Sequence, residues 1–151
     1  MKKLLLLVVA MIILAMAGVA MAANQDVTIS ANIVGTCQFD STTAVAFGPL
    51  DQTVGTDATA SGSVVFWCTK NALYTLSDEA NVGTADGTFN GTLVSGPDNI
   101  PYTLSYNNTS GAGLGKTSLI TSTISGTIAN GDYVNAAAGN YTDTVTFTIT
   151  P

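Results

Sequence analysis

The sequence predicts an all-β sandwich, and three observations carry the prediction. Beyond its N-terminal apolar run the chain is rich in Thr, Val, Gly, Ser and Asn and poor in Glu, Lys, Arg and Gln, the usual surface helix formers. Short runs of β-branched and aromatic residues recur along it, broken by Gly, Pro, Asn or Asp. Near the start of the mature chain, Val27, Thr28, Ile29, Ser30, Ala31, Asn32 and Ile33 alternate apolar and polar, the pattern of a half-buried strand.

The first element is an export signal over residues 1–22. Met1, Lys2 and Lys3 form a positive start, an apolar run follows to Val19, and Ala20-Met21-Ala22 is a small-x-small cleavage site. Cleavage is expected after Ala22, with Ala23 as the alternative. The run is short for a spanning helix and ends in that site, which argues against a retained anchor. No cysteine lies near the cut and no apolar tail closes the sequence, so neither a lipoprotein nor a lipid-anchored protein is expected.

A cut at Ala22 leaves 129 residues, the size of one domain and long enough to bury about two thirds of its unfolded surface. The expected layout is an N-terminal extension over residues 23–36 and a β-sandwich over residues 37–151. Loss of Lys2 and Lys3 with the signal leaves Lys70 and Lys116 against ten carboxylates, a net charge of −8. With no arginine and two lysines, nucleic acid is excluded as a natural partner, and an anionic membrane surface is disfavoured.

Cys37 and Cys68 are the only cysteines, and an exported chain meets an oxidising compartment. A structural disulfide between them is expected, contributing about 3–4 kcal/mol by restricting the unfolded chain. Strands are expected over residues 44–47, 62–68, 73–77, 88–94, 101–106, 118–128 and 141–150, with a Gly, Ser and Asn-rich loop over residues 107–116 and no helix. In the last strand Val145, Phe147 and Ile149 share one face and threonines the other. With the strand ending at Pro151, one of its edges is expected to be covered by another chain.

Enzymatic readings fare badly. The sequence has no histidine, so neither a Ser-His pair nor a histidine metal site can be built, and no cofactor is implied. Asp78 and Glu79 are adjacent carboxylates, but neighbours on a strand point to opposite faces. Asp51, Asp57, Asp86, Asp98 and Asp132 fall in expected turns, where Asp serves backbone geometry, and no loop gathers the oxygens of a calcium site. A secreted binding module for a glycan or surface is the rival class and typically exposes an aromatic platform. Trp67 beside Cys68 is expected to pack in the core or an interface instead. Tyr74, Tyr102, Tyr106, Tyr133 and Tyr141 read as sandwich residues, Tyr141 as a corner tyrosine bonded back to the backbone.

Several of these features together resemble the spore coat protein U-like domain family, whose members include pilins of archaic, Csu-type chaperone–usher pili. The matching features are the alternating stretch before Cys37, Phe47-Gly48, Gly62-Ser63-Val64-Val65-Phe66-Trp67-Cys68, Tyr102-Thr103-Leu104-Ser105-Tyr106 and Gly139-Asn140-Tyr141-Thr142-Asp143-Thr144. The chain departs from such pilins in ending at Pro151 and in lacking a tryptophan after Tyr106.

The resemblance implies an immunoglobulin-like sandwich lacking its seventh strand and completed by donor-strand complementation. A periplasmic chaperone would lend a strand, and an outer-membrane usher would exchange it for the N-terminal strand of the next pilin subunit. Residues 24–34 would then be the donor, with Val27, Ile29, Ala31 and Ile33 as its inward plugs. Val145, Phe147 and Ile149 would edge the groove. The product would be a head-to-tail surface fibre (fimbrium) used in attachment or biofilm formation. The other reading of residues 27–33 is an ordinary first strand paired within its own sheet.

Overall fold

The computed structural model describes residues 22–151, so the export signal, apart from Ala22, lies outside the described residues. Residues 22–36 form neither helix nor strand and are exposed along their whole length, Ile29 to 92%. From Cys37 onward the chain is all-β apart from one helical turn. Its strands are β1 (Cys37–Thr43), β2 (Ala58–Cys68), β3 (Leu73–Asp78), β4 (Thr88–Ser95), β5 (Asp98–Tyr106), β6 (Ser110–Ala112), β7 (Ile120–Ile128) and β8 (Phe147–Thr150). A single turn, α1 (Asn130–Tyr133), interrupts them, where no helix was expected.

Two antiparallel sheets result. The larger has the order β1-β2-β7-β5-β4 and the smaller β6-β3-β8. Period-two alternation builds the core: Val64, Phe66 and Cys68 of β2 point inward, as do Ile120, Ile124 and Ile128 of β7 and Ile100, Tyr102, Leu104 and Tyr106 of β5. Leu76 and Tyr74 of β3 close the core from the smaller sheet, with Phe66 and Tyr74 edge-to-face at 5.1 Å. The β4–β5 hairpin turns through Gly96-Pro97, where Gly96 takes φ 60°, a conformation a side chain would strain.

The first strand differs from expectation. Residues 44–47 form no strand; the edge strand is Cys37–Thr43, shifted in register between Phe39 and Ser41. After Thr43 the chain leaves β2 and lies across the inner face of the larger sheet, over two glycines. A Cβ at Gly62 would stand 2.5 Å from Thr43 O, and one at Gly126 would stand 2.8 Å from both Phe47 and Val45 side chains. The alternation of Val45 and Phe47 thus serves burial against a sheet face without backbone pairing. The expected loop over 107–116 contains the short β6, and the expected last strand is divided: Thr142 bridges to Val94 of β4, and the ladder with β3 starts only at Phe147.

Candidate functional site

The strand order has a direct consequence for one edge. In an immunoglobulin-like sandwich of seven strands, A, B, E and D form one sheet and C, F and G the other. Here β1, β2, β7 and β5 take the places of A, B, E and D, while β3 and β8 take those of C and F. No strand among the described residues takes the place of G, so the edge of β8 opposite β3 is unpaired.

The backbone polarity of that edge follows from one hydrogen bond. Leu76 N donates to Thr109 O at 2.7 Å, so the backbone groups of Leu76 face the β6 side. Alternation then turns Thr75 and Ser77 toward β8, and their partners Thr150 and Thr148 toward β3. Phe147 and Ile149 are left with N–H and C=O groups on the open edge. Their side chains, with that of Val145, are half-buried against the core, and Phe147 meets Tyr106 edge-to-face at 5.1 Å. The same residues therefore offer hydrogen-bonding groups sideways and an apolar surface inward.

Among the described residues the outer edge of β1 is also unpaired. It approaches β8 within 8 Å at Cα, with no ladder between them. Past the N-terminal end of β8 lies a cleft of about 1350 Å³, lined by residues 45–53 and 136–143 together with Leu93, Ile100 and Ile128. Polar contacts hold its rim. Gln52 donates to the carbonyls of Tyr133 and Ala136 at 3.1 and 2.7 Å, Tyr133 to Thr56 O at 2.7 Å, and Tyr102 to Asp143 at 2.8 Å. Burial first, and the hydrogen bond to Asp143 second, push the Tyr102 phenol far above its ordinary value. Such a surface can take an extended apolar strand; it holds no nucleophile–base pair. Among the described residues no cluster of three or more His, Cys, Asp or Glu side chains is placed to hold a metal ion.

The residues singled out in the sequence fall as follows. Cys37 and Cys68 are direct partners in the β1–β2 ladder and are joined by a disulfide. Val27, Ile29, Ala31 and Ile33 are exposed and belong to no strand. Asp78 is fully buried and accepts from Tyr106 and from the amides of Ala80 and Asn81, a structural anchor, while the exposed Glu79 accepts from Thr146 N. Asp51 binds the amide and hydroxyl of Thr53, and the hydroxyl bond chiefly holds its carboxyl below the usual value. Asp57 accepts from Asn130 N, Asp86 from Thr88, and Asp132 sits in α1.

Tyr74, Tyr102, Tyr106 and Tyr133 are buried, and Tyr141 bonds back to Ala137 O at 2.9 Å, the expected corner. Of the two places expected for Trp67, the core or an interface, it does not take the core. Its neighbours Phe66 and Cys68 take the inner face of β2, so its indole lies on the outer face, half-buried, with the Lys116 ammonium 5.7 Å above the ring. The roles of Gly62 and Gly126 were missed, although a glycine inside a strand pattern is a signal of close backbone approach.

Comparison with known proteins agrees with this architecture. The family model described as Spore Coat Protein U domain matches residues 23–148. No curated protein matches the chain. That family includes Csu-type pilin subunits, and with the disulfide it indicates an exported protein. The match spans the exposed N-terminal stretch as well as the sandwich, and the chain belongs to the Spore Coat Protein U domain family.

Proposed function

We propose that the chain is a structural pilin subunit that polymerises head-to-tail by donor-strand exchange. The observation that carries the reading is the unpaired outer edge of β8, where Phe147 and Ile149 combine free backbone groups with inward apolar side chains. The exposed stretch containing Val27, Ile29, Ala31 and Ile33 supplies a matching occupant. It alternates with period two, spans about 20 Å when extended, and is paired to no strand among the described residues. Donor and groove are different surfaces of one subunit, so each docking leaves a new free donor and the contact propagates as a fibre. The subunit is exported through the periplasm, held there by a chaperone strand, and transferred at an outer-membrane usher into a surface fibre for attachment or biofilm formation.

The test is Ile29→Asp. A carboxylate in the centre of the donor would be buried unpaired or leave the plug undocked, at a cost of several kcal/mol. Fibre assembly is expected to be lost while the subunit is still recovered on its chaperone, because its own sandwich does not use that strand. Normal fibres from the variant would overturn the assignment.

A further inference from the structure

Charge is unevenly distributed along the sandwich. At one end, the loops 69–72 and 113–119 are laced together: Asn71 N donates to Gly113 O at 2.8 Å and Gly115 N to Cys68 O at 3.0 Å. These two loops carry Lys70 and Lys116, both exposed and the only basic side chains left after removal of the export signal. The root of the N-terminal stretch is tied to the same end. Thr69 N donates to Thr36 O at 2.9 Å, Thr36 N to Thr69 Oγ1 at 3.1 Å, and Thr69 Oγ1 to Val34 O at 3.4 Å. The other end holds the start of β2, the end of β7, the tip of the β4–β5 hairpin and the lead-in to β8. There lie the exposed Asp51, Asp57, Glu79, Asp98, Asp132 and Asp143, six of the eight exposed carboxylates that follow Cys37; the other two, Asp40 of β1 and Asp86 before β4, lie away from that end.

We infer that this polarity is a second subunit–subunit contact: the lysine end of one copy docks on the acidic end of the next. The inference rests on strand donation. A donor rooted beside Lys70 and Lys116 brings that end of its own subunit to whichever end of the neighbour's groove receives Ile33. β8 runs from the acidic end at Phe147 toward the lysine end at Thr150. A donor antiparallel to β8 therefore places lysines against carboxylates, and a parallel donor places lysines against lysines. Complementary potentials steer encounter and suppress the wrong orientation, so charge selects the antiparallel docking.

The experiment uses full-length mature chains. An affinity-tagged Ile29→Asp chain serves as an acceptor that cannot donate, and the rate at which it captures untagged donor chains is followed at low salt and at about 1 M salt, where charges are screened beyond about 3 Å. A Lys70→Glu/Lys116→Glu donor is expected to be captured at least about tenfold more slowly at low salt, with the gap closing at high salt. Asp98→Lys/Asp132→Lys in the tagged acceptor should restore its capture, a rescue that misfolding cannot produce. Capture of the unaltered donor at a rate insensitive to salt and to both charge changes would overturn the polar contact and leave strand donation standing. So would charge changes that alter only recovery on the chaperone. Failure of the tagged acceptor to capture any donor would remove strand donation itself, and the contact with it.

Discussion

The Tyr106 phenol donates to an Asp78 carboxyl oxygen at 2.8 Å in the interior, joining the last residue of β5 to the last residue of β3. The other Asp78 oxygen accepts from the amides of Ala80 and Asn81 at 2.9 and 3.1 Å. Asp78 thus fixes the chain reversal after β3, and Tyr106, whose ring meets that of Phe147 edge-to-face, holds the Asp78 carboxyl in place. Tyr106→Phe keeps the ring and deletes one partner of a fully buried acid. It is expected to cost about 1–3 kcal/mol in urea unfolding.

The same phenol predicts an alkaline limit to stability. Burial, and then the bond to Asp78, push Tyr106 up to about 12 from 10.0. The fold therefore favours the protonated phenol. Its contribution is complete below pH 10 and is lost as pH rises through 10 toward 12. Unfolding free energies across that window should fall less steeply for Tyr106→Phe than for the unaltered protein.

The Cys37–Cys68 bond clips edge strand β1 to β2. The exported protein should show one intramolecular disulfide by mass spectrometry without reduction. The Cys37→Ala/Cys68→Ala variant should lose about 2–4 kcal/mol of stability.

Gly62 and Gly126 separate two kinds of crowding. A methyl at Gly126 meets side-chain atoms of Val45 and Phe47, which can shift, whereas one at Gly62 meets the Thr43 carbonyl. Gly62→Ala is expected to cost more than Gly126→Ala within a range of about 1–3 kcal/mol. Equal thermal shifts for the two would contradict the path of residues 43–47 across the sheet.

An extra copy of the segment from Val27 to Ile33, fused after Pro151 through a flexible linker, should cover the β8 edge from within. Burying its apolar side chains is expected to yield a monomer whose melting temperature is raised by roughly 5–10 °C. Unchanged melting would argue that the edge is not an acceptor.

Most strands were legible because period-two alternation is a local property: β2, β3, β4, β5 and β7 each start or end within a few residues of where the pattern and its turn residues place them. The disulfide was legible because two cysteines in an exported chain leave one pairing. The inward set Val145, Phe147 and Ile149 was legible for the same local reason, and the structure packs all three against the core.

Alternation reports which side of a chain is apolar, not what covers it, and there the tertiary structure decided. Residues 44–47 alternate like a strand yet lie over Gly62 and Gly126 without pairing, because Thr43 leaves the edge of β2 at that point. For Trp67 the apolar neighbours left core and interface open, and the register that buries Phe66 and Cys68 turns it outward, away from the core. Which strand lies beside β8 and the opposite placement of the lysines and most exposed carboxylates are likewise absent from any local pattern, although an uncovered edge on the last strand was expected. Both depend on which distant strands and loops become neighbours, and residues as far apart as Lys70 and Lys116 share an end only because β2, β3, β6 and β7 meet there.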